Sequence, residues 1–159
     1  VVANPSSTKK MHILLPGETA LPGSSTGKTG TVITQTVMSS FTVTVRATDD
    51  WWNILDVTPS VTVTTPNDPY ATASQVKSLV NGTTYFTISP TGPCFAISTY
   101  TVRAVADTYT TYPPDINDPV YQFTVVPSTA TAKLWEVIIR ELMRLSMSLS
   151  SMSKTRLKR

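Results

Sequence analysis

Gly23, Gly27, Lys28 and Thr29 stand in the order of a phosphate-binding loop, within the stretch PGSSTGKTGT from Pro22 to Thr31. In such a loop backbone amides wrap the phosphates of a nucleotide, the lysine reaches the outer phosphates and the hydroxyl holds Mg²⁺. Spacing and context exclude that chemistry. Only Ser24, Ser25 and Thr26 separate the two glycines, one residue fewer than the motif needs, so the ring of amides cannot close. The preceding PGETALP is turn-like, and the following TVITQTV is rich in β-branched residues that favour strands, so no helix N-terminus is on offer to an anion. The segment reads as a flexible Gly/Ser/Thr loop with one solvated lysine.

The remaining reactive side chains are few. His12 is the only histidine and lies in an apolar run; Cys94 is the only cysteine. A Ser-His-Asp triad would rest on that one imidazole, and a zinc site needs three or four ligands, so an enzyme of either kind is not expected. Cys94 allows no intrachain disulfide; it could bridge two chains, but a half-buried free thiol is the first reading. The acidic turns at Asp49 and Asp50, and at Asp115 and Asp118 in DINDP, offer clustered oxygens to Ca²⁺. Ordinary turn chemistry, in which Asp and Asn bond their own backbone, accounts for them without a metal, and no other cofactor is expected. Trp51 and Trp52 are adjacent, so in an extended chain they face opposite sides, one inward and one outward. The outward indole could stack on a sugar or meet another subunit. Asn81-Gly82-Thr83 matches a glycosylation sequon, but a hairpin turn is the simpler reading.

The elements that must hold these residues are strands. The chain of 159 residues is 14% charged, and Ser and Thr make up roughly a quarter of it. With twelve prolines, this composition points to an extracellular all-β protein. Period-two alternation sets Phe41, Val43, Val45 and Ala47 on one face, then Val61 with Val63, Phe86 with Ile88, Tyr100 with Val102, Ala104 and Ala106, and Tyr121 with Phe123 and Val125. MHILL adds a shorter first strand. Turn clusters such as TDDWWN, TPNDP, VNGT, SPTGP and YPPDINDP separate these runs, which suggests a β-sandwich.

From about Ala132 the pattern changes. Trp135, Ile138, Leu142, Leu145, Leu149 and Met152 recur at alternating spacings of three and four with no Gly or Pro between them, a helical seam of coiled-coil type. Such a helix packs on its own domain, pairs with another chain or lies on a membrane surface. A faint echo between KMHILLPGE and KLWEVIIRE, about 120 residues apart, allows instead that the tail is the degenerate start of a second repeat and KLWEVII a strand. The absence of alternation favours the helix. Residues 133–159 hold seven cationic side chains against two glutamates, a net +5, so the rest of the chain carries −2 of the overall +3. The basic pI belongs to the tail and does not make the body a nucleic-acid binder. No apolar run reaches the about 18 residues of a membrane span. VVANPSSTKK is no signal peptide, so a secreted chain would have lost its signal already.

The order of strands and turns resembles the bacterial immunoglobulin-like repeats of invasin- and intimin-type surface proteins. The matching residues are Ala47, Asp49, Asn53, Val61 and Val63 in FTVTVRATDDWWNILDVTPSVTVTT, then Asn81, Gly82, Thr83 and Phe86, then Tyr100, Val102 and Ala104, with VYQFTVVPSTATAKL as last strand and linker. The similarity covers roughly residues 40–133, about one sandwich domain. It departs from the family where Trp52 replaces the usual Gly before the turn Asn, in the Thr/Gly-rich insertion at 16–40, and in the tail. The resemblance implies an all-β, immunoglobulin-like β-sandwich over residues 10–132, with an N-terminal extension at 1–9 and the tail at 133–159. The expected function is a non-enzymatic subunit or repeat of a surface fibre, assembling with copies of itself by strand exchange, for which MHILL to TVITQTV are candidates, or through Trp135, Ile138, Leu142, Leu145 and Leu149 of the tail. The alternative is an adhesin or carbohydrate-binding module that meets glycans or a host surface through exposed Trp and Tyr.

Overall fold

The computed structural model describes residues 9–68, 74–91, 97–107, 109 and 122–156; Cys94, Asp115, Asp118 and Tyr121 lie outside them. Among the described residues the chain is sheet-rich and ends in a helix. In order these are β1 (Lys10–Leu14), β2 (Glu18–Ala20), β3 (Lys28–Gly30), β4 (Gln35–Thr36), β5 (Phe41–Thr48), β6 (Ser60–Thr64), β7 (Gln75–Ser78), β8 (Thr83–Ile88), β9 (Ser98–Thr101), β10 (Arg103–Val105), β11 (Gln122–Val126) and α1 (Thr129–Arg156).

Among the described residues, seven pairings organise the strands into four sheets. β5 lies between β1 and β8, antiparallel to both, with Ile13 opposite Val45 and Val43 opposite Phe86. β6 lies between β10 and β7, and β11 between β9 and β4, the last pair running parallel. β2 and β3 form a separate hairpin with Ala20 opposite Lys28. The alternation read from the sequence sets the buried faces: Phe41, Val43, Val45, Ala47, Val61, Val63, Phe86, Ile88, Tyr100, Val102, Ala104, Ala106, Phe123 and Val125 all belong to one core cluster. Phe123 joins the sheets through its ring contacts with Phe41 and Tyr100, at 5.0 and 6.0 Å between centroids.

β1 behaves differently. Met11, His12, Ile13, Leu14 and Leu15 are all buried. Met11, Ile13 and Leu15 enter the core, whereas His12 lies on the opposite face, across from Arg46 of β5. A strand covered on both faces has no reason to alternate, hence its continuous apolar sequence. The turn after β7 is the expected hairpin: Val80 and Thr83 exchange backbone hydrogen bonds around Asn81 and Gly82, both at positive φ. A Cβ at Gly82 would lie 1.9 Å from the Leu55 carbonyl oxygen, so this position requires glycine.

The tail is helical, and it begins at Thr129, ahead of the expected change of pattern. The reading of KLWEVII as a strand of a second repeat gives way to the helix, whose residues lack both alternation and turn signals. Nor does the helix bury most of its described apolar side chains, of which Ile139 alone is half-buried. Leu134, Val137, Ile138, Leu142, Met143, Leu145, Met147 and Leu149 are all exposed, while the side chain of Trp135 lies outside the description. Pairs three and four residues apart support it along its polar side: Arg140 with Glu136 at 2.6 Å and Arg144 with Glu141 at 2.9 Å. No helix among the described residues is long and apolar enough to cross a membrane.

Candidate functional site

Of the residues singled out above, His12, Lys28, Asp49 and Trp52 gather about β1 and the end of β5, beside the β2–β3 hairpin. The hairpin and the loop at its tip are laid over the turn that follows β5. Leu21 N–H donates to the Gly27 carbonyl, Gly23 N–H donates to the Trp51 carbonyl, and a Cβ added to Gly27 would lie 2.4 Å from the Trp52 ring. Gly27 thus gives the indole room at van der Waals distance from the backbone.

Lys28 is not solvated. Its ammonium lies 2.8 Å from one carboxylate oxygen of Glu18 and 2.9 Å from the other, and both side chains are almost fully buried. Glu18 also accepts from Leu15 N–H at 2.8 Å. The expectation of a free lysine fails because its counter-charge comes from ten residues upstream, across the hairpin. The lysine falls within a strand, and its charge is committed to Glu18.

His12 is fully buried against Trp52, with 4.9 Å between ring centroids. Among the described residues neither ring nitrogen has a hydrogen-bond partner. Burial, reinforced by the positive charges of Lys28 and Arg46, holds its pKa down at about 4 against the ordinary 6.5. An imidazole that is neutral, fully enclosed and without a hydrogen-bonded carboxylate or hydroxyl lacks the contacts of a triad base.

The acidic turn is likewise internal. Asp49 is buried, and its Oδ1 accepts from the backbone N–H of Trp51 and Asn53 at 2.9 Å each, while Oδ2 accepts from Asn53 Nδ2 at 3.0 Å. Asp49 N–H in turn donates to the Asn53 carbonyl. These donors make the carboxylate the organiser of its own loop, in the manner of ordinary Asp turn chemistry. Asp50 faces Lys10 at 3.3 Å. Among the described residues no three His, Cys, Asp or Glu side chains stand together as a metal site.

The two tryptophans split as their adjacency requires. Trp51 is 64% exposed and Trp52 6%, so Trp52 is removed as a contact residue and Trp51 remains. Trp52 sits at φ 66°, a left-handed conformation that costs a non-glycine residue about 1–2 kcal/mol. The indole offsets this by covering His12 and by receiving the Lys10 ammonium over its face at 4.7 Å from the ring centroid. The cluster is therefore a structural cap that presents Trp51 from a pinned backbone. Sequence reasoning missed the Glu18–Lys28 pair and the part played by Arg46. Gly17, Gly23, Gly27 and Gly30, all at positive φ, were the available signal for a hairpin in that stretch. The second exposed surface is the apolar side of α1, which carries Ile138, Leu142, Leu145 and Leu149 of the expected assembly set. No family model matches the chain, and neither does any curated protein or solved structure.

Proposed function

We propose that the chain is a non-enzymatic structural subunit or repeat of an extracellular surface fibre. Its body is an immunoglobulin-like sandwich, and copies assemble through the tail. The observation that carries this reading is the exposed apolar seam of α1, since a contiguous apolar surface on a helix needs a partner. The pairings support the sandwich. Only Val102 separates β9 from β10, so β7, β6, β10/β9, β11 and β4 read as one layer facing β1, β5 and β8.

Of the two modes of assembly, the edges of the β1–β5–β8 sheet favour the tail over strand exchange. β8 is an edge strand, yet its Tyr85 and Thr87 carbonyls already accept from Lys77 and Gln75 at 2.7 and 2.6 Å. β1, the other edge of that sheet, is buried from Met11 to Leu14 and pairs with β5. Electron microscopy of the purified chain tests the reading: fibres or regular oligomers are expected, and dispersed single particles at high concentration would refute it.

The exposed, backbone-pinned Trp51 favours a second reading, an adhesin or carbohydrate-binding module that meets glycans on a host surface. On that reading a glycan array gives binding that Trp51→Ala abolishes, and a blank array removes it.

A further inference from the structure

The exposed seam of α1 carries more information than its need for a partner. Trp135, Leu142 and Leu149 are seven residues apart, as are Ile138, Leu145 and Met152, which defines positions a and d of a heptad. Leu142, Leu145 and Leu149 are 56%, 52% and 67% exposed, so the chain itself does not fill the seam. Two-stranded coiled coils favour β-branched residues at a and charged residues at e and g, the positions that flank the seam. Here no a position is β-branched. The flanks are Leu134, Ile139, Glu141, Ser146 and Ser148, of which only Glu141 is charged, and it is already paired with Arg144 of its own helix. Arg140 is likewise committed to Glu136. The charges give no rule for selecting a different partner, and the apolar stripe is wider than two strands can cover.

We infer that α1 packs against the same helix of other copies, in a bundle of more than two strands. The inference rests on the proposed assembly through the tail and names its partner and order. The seam spans fewer than three heptads, so association is weak and concentration-dependent.

Sedimentation equilibrium of the full chain across a concentration series tests it. Species of three or four chains are expected. Leu142→Glu combined with Leu145→Glu returns the mass to one chain while the thermal transition of the body stays in place. Leu142→Ile with Leu149→Ile shifts the mass toward two chains. A wild-type chain that is single at every concentration, or that stops at two, overturns the inference, and so does a double-Glu variant that keeps its mass. Vesicles of phosphatidylcholine and phosphatidylglycerol supply a further arm: a single-chain protein that sediments with them assigns the seam to lipid and overturns the bundle. The two readings fail separately. Bundles without fibres in the microscope retire the fibre and leave the bundle, whereas fibres that persist in the double-Glu variant retire the bundle and leave the fibre.

Discussion

Burying an imidazole between a strand and an indole makes its neutral form part of the fold. With a pKa of about 4 in the folded chain against 6.5 unfolded, the unfolded chain binds more of the protons between those values. The stability from His12 is therefore fully present above pH 6.5 and falls as the pH drops toward 4, by about 3 kcal/mol over the window. Denaturant titrations at several pH values should show this loss. His12→Leu should flatten it, whereas an unchanged slope in that variant would locate the proton uptake elsewhere. Trp52 supports a second prediction of the same kind. Removing its ring costs roughly 3–5 kcal/mol, but at φ 66° glycine is at ease and alanine is not. Trp52→Gly should therefore be the more stable of the two truncations by about 1 kcal/mol. Equal midpoints in urea, or a more stable Trp52→Ala, would show that the turn does not need its left-handed residue.

Neighbouring residues on one strand should respond in opposite ways. Phe86 is fully buried, while Tyr85 beside it is 60% exposed. Phe86→Ala should cost roughly 3–5 kcal/mol and Tyr85→Ala within about 0.5 kcal/mol; comparable losses would mean that the face assignment of β8 is wrong. This contrast was legible in the sequence because β5, β6, β8, β10 and β11 bury one face over most of their length, and one buried face imposes a period of two. Where that condition fails, the sequence is mute. β1 is covered on both sides, and its run is continuously apolar. β7 is exposed over most of its length, and its Gln75 and Lys77 serve the carbonyls of β8, so QVKS carries no apolar pattern. β2, β3 and β4 are two or three residues long, too short for any period. The candidate site divides in the same way. The Asp49 turn and the opposed faces of Trp51 and Trp52 follow from local chemistry and were readable. The burial of Lys28 depends on Glu18, ten residues upstream across the hairpin, which no local pattern signals.

At the scale of the whole chain, the body and the tail answer to different forces. The body closes its core with residues of its own strands, whereas the described apolar side chains of α1, apart from half-buried Ile139, remain exposed. Removing residues 129–159 should therefore leave the thermal transition of the body in place and lower the oligomeric state, while the net charge passes from +3 to −2. A shortened chain ending at Ser128 that unfolds, or that still forms the same oligomers, would defeat the division. Ionic strength separates the two ways the tail could hold copies together. Contacts between its basic end and an acidic body weaken as screening shortens from about 10 Å at 0.1 M salt to about 3 Å at 1 M. Packing of α1 on α1 is apolar, and crowding of the like-charged ends opposes it, so 1 M NaCl should preserve or tighten it. The expected result is an association constant for the full chain that does not fall between the two salt concentrations. A steep fall would transfer the contact from the seam to the cationic residues Lys154, Arg156, Lys158 and Arg159, and replacing these by Gln would then abolish assembly while Leu142→Glu would spare it.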